Sequence, residues 1–175
     1  RHLETAKIKS SGNAIDSRIP LFFNDDIVIN IAHISRKMDY LYRNGHFDEL
    51  FYVQCGKGTL STNYGDLSYK EGDYVVIPRG VIWKLTPDTK TKLLIIESIY
   101  PIETPSKYRN KFGQLLEGSP FCERDIVTPI LKNPIDKKGD YLVKVRLQDG
   151  WQDYVYNHNP FDVVGWDGYY FPWVF

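Results

Sequence analysis

The 175-residue chain predicts an all-β domain, an antiparallel sandwich or barrel carrying an irregular excursion and extra C-terminal strands. Three observations lead there. Between residues 26 and 99, short runs rich in β-branched and aromatic side chains recur, each closed by Gly, Pro, Asn or Asp. That is the punctuation of strands joined by tight turns. No segment shows the sustained 3.6-residue apolar period of a strong amphipathic helix. Aromatic residues make up 15% of the chain, a supply suited to large cross-strand contacts.

The elements follow in order. Residues 26–34 (DIVINIAHI) alternate at a period of two and predict a half-buried strand, with His33 at a solvent-facing or rim position. Glu49–Gln54 is a β-rich run closed by Gly56 and Gly58, and Thr59–Thr62 resumes as a strand. Asn63–Asp66 is a turn candidate before a short strand at Leu67–Tyr69. Glu71–Asp73 turns into Tyr74–Ile77, Pro78–Gly80 turns again into Val81–Leu85, and Lys92–Ile99 completes the set. Residues 100–125 hold three prolines and many charges with little periodicity, which predicts an irregular excursion. Tyr141–Gln148 alternates cleanly and predicts an amphipathic strand. Two regions result: residues 1–100 form the barrel, and residues 101–175 pack irregular chain and additional strands against it.

Composition narrows the function. Lys plus Arg and Asp plus Glu both number 22, so no basic field for nucleic acid or an acidic membrane surface exists. No apolar run is long enough to span a bilayer and no secretory leader opens the chain. Cys55 and Cys122 form no C-x-x-C pair and read as free thiols of a reducing cytoplasm. Position 1 is Arg, and the aromatic run at residues 166–175 would be costly to leave in water. The chain therefore reads as part of a longer polypeptide, with that run packed on a following segment or another subunit.

Residues 44–85 (NGHFDELFYVQCGKGTLSTNYGDLSYKEGDYVVIPRGVIWKL) resemble the two motifs of a cupin barrel, G-x5-H-x-H-x3,4-E-x6-G and G-x5-P-x-G-x2-H-x3-N. Gly72, Pro78 and Gly80 match the second motif. Its histidine position holds Trp83, whose indole offers an N–H donor and no metal-binding lone pair. In the first motif Gly58 can serve as the closing glycine and His46 lies where a ligand could sit, with Asp48 in place of the second His and Glu49 three residues beyond His46. The candidates at the barrel mouth are thus His46, Glu49 and Trp83. The same residues read equally as a polar loop and strand start, and this chain is expected to carry neither a catalytic residue nor a metal ligand.

Three further segments narrow the resemblance: YRNKFGQLLE at 108–117, SPFCERD at 119–125 and NPFDVVGWDG at 159–168, the last followed by YYFP. With the barrel motifs they resemble homogentisate 1,2-dioxygenase of the bacterial type, from about Asn44 to the end. The resemblance implies a two-cupin enzyme of tyrosine and phenylalanine catabolism that opens homogentisate with O2 to maleylacetoacetate. It implies Fe(II) held by two His and one carboxylate in the C-terminal cupin of that family, so that no iron ligand falls on a residue here and no cofactor is expected in this chain. It also implies an aromatic small-molecule substrate, a cytoplasmic location and a homo-oligomer. Trp151, Trp166 and Trp173 could wall a pocket or simply fill a core or interface. His158 reads as loop-like, either surface-lying or reaching toward an active site. The other readings are a non-catalytic scaffold or small-ligand cupin, with its ligand near His46, Glu49 and Trp83, and a metal-dependent isomerase, against which Trp83 argues.

Overall fold

A computed structural model of the chain describes residues 3–9, 11–165 and 171–175. Its strands are β1 (Arg18–Phe23), β2 (Ile27–Ile34), β3 (Leu41–Asn44), β4 (Asp48–Cys55), β5 (Lys57–Thr62), β6 (Gly65–Lys70), β7 (Tyr74–Ile77), β8 (Ile82–Pro87), β9 (Thr91–Ser98), β10 (Lys138–Leu147), β11 (Gly150–His158) and β12 (Trp173–Val174). They form two six-stranded sheets, ordered β1-β2-β9-β4-β7-β12 and β11-β10-β3-β8-β5-β6. The all-β sandwich read from the sequence is therefore what the chain forms. Among the described residues, helix is limited to single 3-10 turns at Thr5–Lys7, Ser106–Tyr108 and Glu123–Asp125.

The core lies between the inner faces. One sheet contributes Ala32, Ile34, Phe51, Val53, Val75, Ile77, Leu93 and Ile95; the other contributes Tyr42, Leu60, Leu67, Tyr69, Trp83 and Leu85. Burying each large side chain of this kind contributes about 1.5–3 kcal/mol. The segment 11–17 closes one end. There Asn13 Oδ1 accepts the backbone N–H groups of Ile15 and Asp16, both at 2.9 Å, and Ala14 packs into the core. A second cluster on the outer face of the other sheet gathers Leu41, Ile82, Val143 and Val145 beneath Phe161.

The strand series from β4 to β9 and the irregular run after Tyr100 agree with the sequence reading. Other features differ. β10 pairs with β3 in parallel, Val143 beside Leu41 and Arg146 beside Asn44, so the assembly is not wholly antiparallel. β1, β3, β11 and β12 carry no clear sequence signal. β11 takes in Trp151 and ends at His158, which pairs with Lys138; His158 is therefore a strand end, and its ring lies 2.9 Å from Asp136 Oδ1. In β2 the residues on the core side are Asn30, Ala32 and Ile34, while Ile27 is exposed and His33 half-buried on the other face. The alternation announces a strand without saying which face meets the core. Trp166 and the WDGYY part of the most specific sequence segment lie outside the described residues.

Two turns expected from the second motif are in place. Gly72 has φ +93° and donates its N–H to Val53 O at 2.9 Å; Gly80 has φ +85° and donates to Asn44 O at 2.7 Å. In the first motif the turn residue is Gly56, with φ +98°, and not Gly58, which lies inside β5. A Cβ at Gly56 would run into Thr91 and the Lys90 carbonyl, whereas one at Gly72 would meet open space. Gly72→Ala should therefore lose only the backbone contribution, about 1–2 kcal/mol, and Gly56→Ala should lose clearly more. Urea unfolding of the two variants checks this order.

Candidate functional site

The alternation of β4 turns Glu49, Phe51 and Val53 inward, and that of β9 turns Leu93, Ile95 and Glu97 inward. The register sets Glu49 directly opposite Glu97. Both carboxylates are fully buried. Like charges opposed across a strand pair repel, and burying an unpaired charge costs several kcal/mol, so the pair requires a cation.

Arg18 supplies it. It opens the edge strand β1, and its side chain reaches between the sheets. Nη1 lies 2.6 Å from Glu49 Oε1 and 3.0 Å from Glu97 Oε1, while Nε donates to Ala14 O at 3.0 Å. The guanidinium carbon sits 5.5 Å from the Tyr42 ring centroid and 5.6 Å from that of Phe51. Further donors reach the two carboxylates from other strands. Trp83 Nε1 donates to Glu49 Oε2 at 3.2 Å, Asn30 Nδ2 to Glu97 Oε2 at 3.0 Å, and Asn44 Nδ2 to Glu97 Oε1 at 3.3 Å. Arg146 of β10 approaches Glu97 Oε2 to 3.7 Å, and its guanidinium carbon lies 5.3 Å from the Phe47 ring and 5.8 Å from Trp151. Two carboxylates thus face two guanidinium groups, only one of them deeply buried.

Burial pushes the Glu49 carboxyl above its usual value; Arg18 pulls it back and Glu97 adds to the rise. Burial works against the charge on Arg18 as well, but attraction to Glu49 and Glu97 leaves that guanidinium held protonated above its ordinary value. The Tyr42 hydroxyl, buried beside Glu49, is raised well above the usual tyrosine value.

The candidates singled out in the sequence separate here. Glu49 and Trp83 come together, inside the sandwich and hydrogen-bonded to each other. His46 stays apart: its backbone N–H donates to Asn44 Oδ1 at 3.1 Å and its ring stacks edge-on against Phe47 at 4.3 Å. Asp48 is a clamp. Its Oδ1 accepts the backbone N–H and Nε of Arg79, and its Oδ2 accepts the N–H of Ile102 at 3.0 Å, which ties β4 to the Pro78–Gly80 turn and to the chain after β9. With Gly56 as the turn glycine, Glu49 takes the glutamate place of the first motif, and counting back puts its two histidine places at Tyr42 and Asn44, both facing inward. E-x6-G spans Glu49 to Gly56, a spacing that could have corrected the frame from sequence. Arg18 could not have been found that way, because arginine is no metal ligand and belongs to no ligand motif.

Iron does not fit these residues. A phenol, a carboxamide, a carboxylate and an indole occupy the four ligand places, the indole has no lone pair to offer, and both Glu49 oxygens are already committed to donors. Among the described residues, no group of three or more His, Cys, Asp or Glu side chains is arranged to hold a metal ion.

Removing the central cation leaves the buried Glu49 without a counter-charge and Glu97 with only Arg146 at 3.7 Å, so Arg18→Ala should lose about 3–5 kcal/mol. Arg36→Ala removes only the exposed partner of Asp16 and should lose under about 1 kcal/mol. Thermal and urea unfolding measure both. Because the folded-state value of Glu49 lies above its unfolded one, the folded chain keeps a proton that the unfolded chain has released. That contribution is present at low pH and lost as pH rises through the folded value. Glu49→Gln should therefore flatten the fall in stability above the usual glutamate value of 4.5, as read by urea unfolding across a pH series.

The family model described as homogentisate 1,2-dioxygenase N-terminal matches residues 20–175. A putative dioxygenase of Saccharolobus solfataricus is 40% identical over 97% of this chain and 44% of its own length. Homogentisate 1,2-dioxygenase of Legionella pneumophila is 27% identical over 78% of this chain and 32% of its own. The chain spans less than half the length of these relatives. Among solved structures, a cupin-2 domain containing protein from Shewanella frigidimarina is similar over 47% of this chain and 79% of its own, at 22% identity and a TM-score of 0.43. With the model match running from β1 to the last residue, the chain belongs to the homogentisate 1,2-dioxygenase N-terminal family.

Proposed function

We propose that this chain is the N-terminal, non-catalytic sandwich of a dioxygenase that opens the ring of homogentisate with O2. Both oxygen atoms enter the product, maleylacetoacetate, in a step of tyrosine and phenylalanine breakdown. The iron centre of that enzyme lies in a part of the polypeptide outside residues 1–175. The observation that carries this reading is the filling of the sandwich interior. Where a cupin centre would need imidazoles there are Tyr42, Asn44 and Trp83, and the Arg18 guanidinium already neutralises Glu49. Family membership supports the reaction class, since the curated relatives bear dioxygenase names.

In this reading the sandwich buries apolar surface against the catalytic part and keeps it dry. Trp151, 53% exposed beside Arg146, and the half-buried Trp173 on the edge strand β12 are the aromatic surfaces suited to that contact. Homo-oligomeric assembly and a cytoplasmic setting belong to the same proposal. Among the described residues, no helix is long and apolar enough to cross a membrane.

The natural full-length polypeptide, loaded with Fe(II), should consume one O2 per homogentisate, followed with an oxygen electrode and by product absorbance. Consumption with gentisate in place of homogentisate would move the substrate assignment. Consumption by residues 1–175 alone would overturn the placement of the chemistry.

A further inference from the structure

The outer face of the sheet β11-β10-β3-β8-β5-β6 carries a cleft that the buried ion cluster does not touch. Where the pleat turns Leu60, Leu67 and Leu85 into the core, it turns Ser61, Asp66 and Lys84 outward. The register sets Ser61 beside both Lys84 and Asp66. Residues 130–137 and 159–161 frame this row. Ile130 exchanges backbone hydrogen bonds with Asp66 at 2.8 and 3.0 Å, and Gly65 permits the approach, because a Cβ there would run into the Ile130 carbonyl. Lys132 pairs with the Asp66 carboxylate. Ile135 N–H donates to Phe161 O at 2.8 Å and Asn159 N–H to Lys137 O at 2.9 Å, so the two stretches are tied to each other. The cleft between them and the sheet measures about 310 Å3, the size of a small-molecule site.

Its lining divides by chemistry. Leu41, Ile135, Leu142, Phe161 and Val164 supply apolar surface. On the floor Lys84 is half-buried, and among the described residues it has neither an ion pair nor a hydrogen bond. The Ser61 hydroxyl beside it is likewise uncommitted among the described residues. Asn159 Oδ1 accepts the Phe161 N–H at 2.9 Å, which leaves the amide N–H groups of Asn159 to donate elsewhere. The charge of Lys132 is already met by Asp66, and the exposed Asp39 and Asp140 line the same cleft. One unpaired ammonium amid apolar surface attracts a single negative charge, and the two aspartates oppose a second one. We propose that this cleft binds a small monocarboxylate with an apolar tail. The Lys84 ammonium meets the carboxylate, Ser61 and Asn159 donate to it, and the tail lies along Leu41, Leu142 and Phe161.

The test uses the natural full-length polypeptide with carboxyl-13C octanoate as the probe, titrated by nuclear magnetic resonance. Octanoate should bind saturably, and 1-octanol and octyl phosphate at least about tenfold more weakly, the worth of one charge-assisted hydrogen bond. Lys84→Gln should weaken octanoate binding by the same factor, and Lys84→Arg should restore most of it. Ser61→Phe keeps the ammonium and fills the floor of the cleft, so it should also remove the binding; it decides the matter if Lys84→Gln does not fold, thermal unfolding reporting the fold of each variant. Comparison with these variants subtracts any octanoate held elsewhere on the protein. No saturable octanoate binding, equal binding of 1-octanol or octyl phosphate, or octanoate binding that survives in a folded Lys84→Gln or Ser61→Phe variant would each overturn the proposal.

Discussion

Two glutamates facing each other across adjacent inner strands set the terms for the rest of this fold. Glu49 and Glu97 occupy inward positions that the pleat assigns without regard to charge. Solvating them with water would open the sandwich. Solvating them with protein requires a cation from outside both strands. Arg18 answers that need, and the segment before it is built to aim it: Asn13 organises the turn, Ala14 accepts the Arg18 Nε hydrogen bond, and Ser17 Oγ donates to the Asn13 carbonyl at 2.7 Å. Residues 11–23 are thus an integral part of the electrostatics, although β1 sits at a sheet edge.

The second half of the chain is woven into the same problem. β10 adds to the other sheet beside β3, held where Gly45 N–H donates to Arg146 O at 2.8 Å, and this pairing delivers the Arg146 guanidinium toward Glu97. Trp151, on β11, lies 5.8 Å from Tyr42, so an exposed aromatic ring touches one of the residues that line the ion cluster. β12 extends the first sheet at β7. Asp48, at the start of β4, binds the motif turn and the chain after β9 at once. The buried carboxylates of the sandwich interior are therefore faced by two guanidinium groups drawn from strands at opposite ends of the chain.

Strands with a buried face on a central element could be read from residue type. Tyr74–Ile77 is apolar because it lies between neighbours and beneath the other sheet, and its flanking turns announce themselves through Gly72 and Gly80. β1 escaped notice because it contains Pro20, has only one partner strand and alternates poorly between exposed and half-buried positions. β3 offers four residues, too few for a period. β11 is exposed on both faces, so Trp151, Tyr154 and Val155 show no alternation. His46, the imidazole nearest the first motif in sequence, stacks edge-on against Phe47 outside the cluster.

Residue type and local spacing carry the β class, the run of strands from β4 to β9, and the indole at Trp83 that has no lone pair for a metal. Each of those is a property of a residue or of its near neighbours. What balances Glu49 emerges only once the two sheets are assembled. Its counter-ion lies 31 residues away in the chain, and the second carboxylate that shares this ion lies 79 residues from it. Which charges meet in a buried interior is fixed by strand order and register, and no local pattern encodes that meeting.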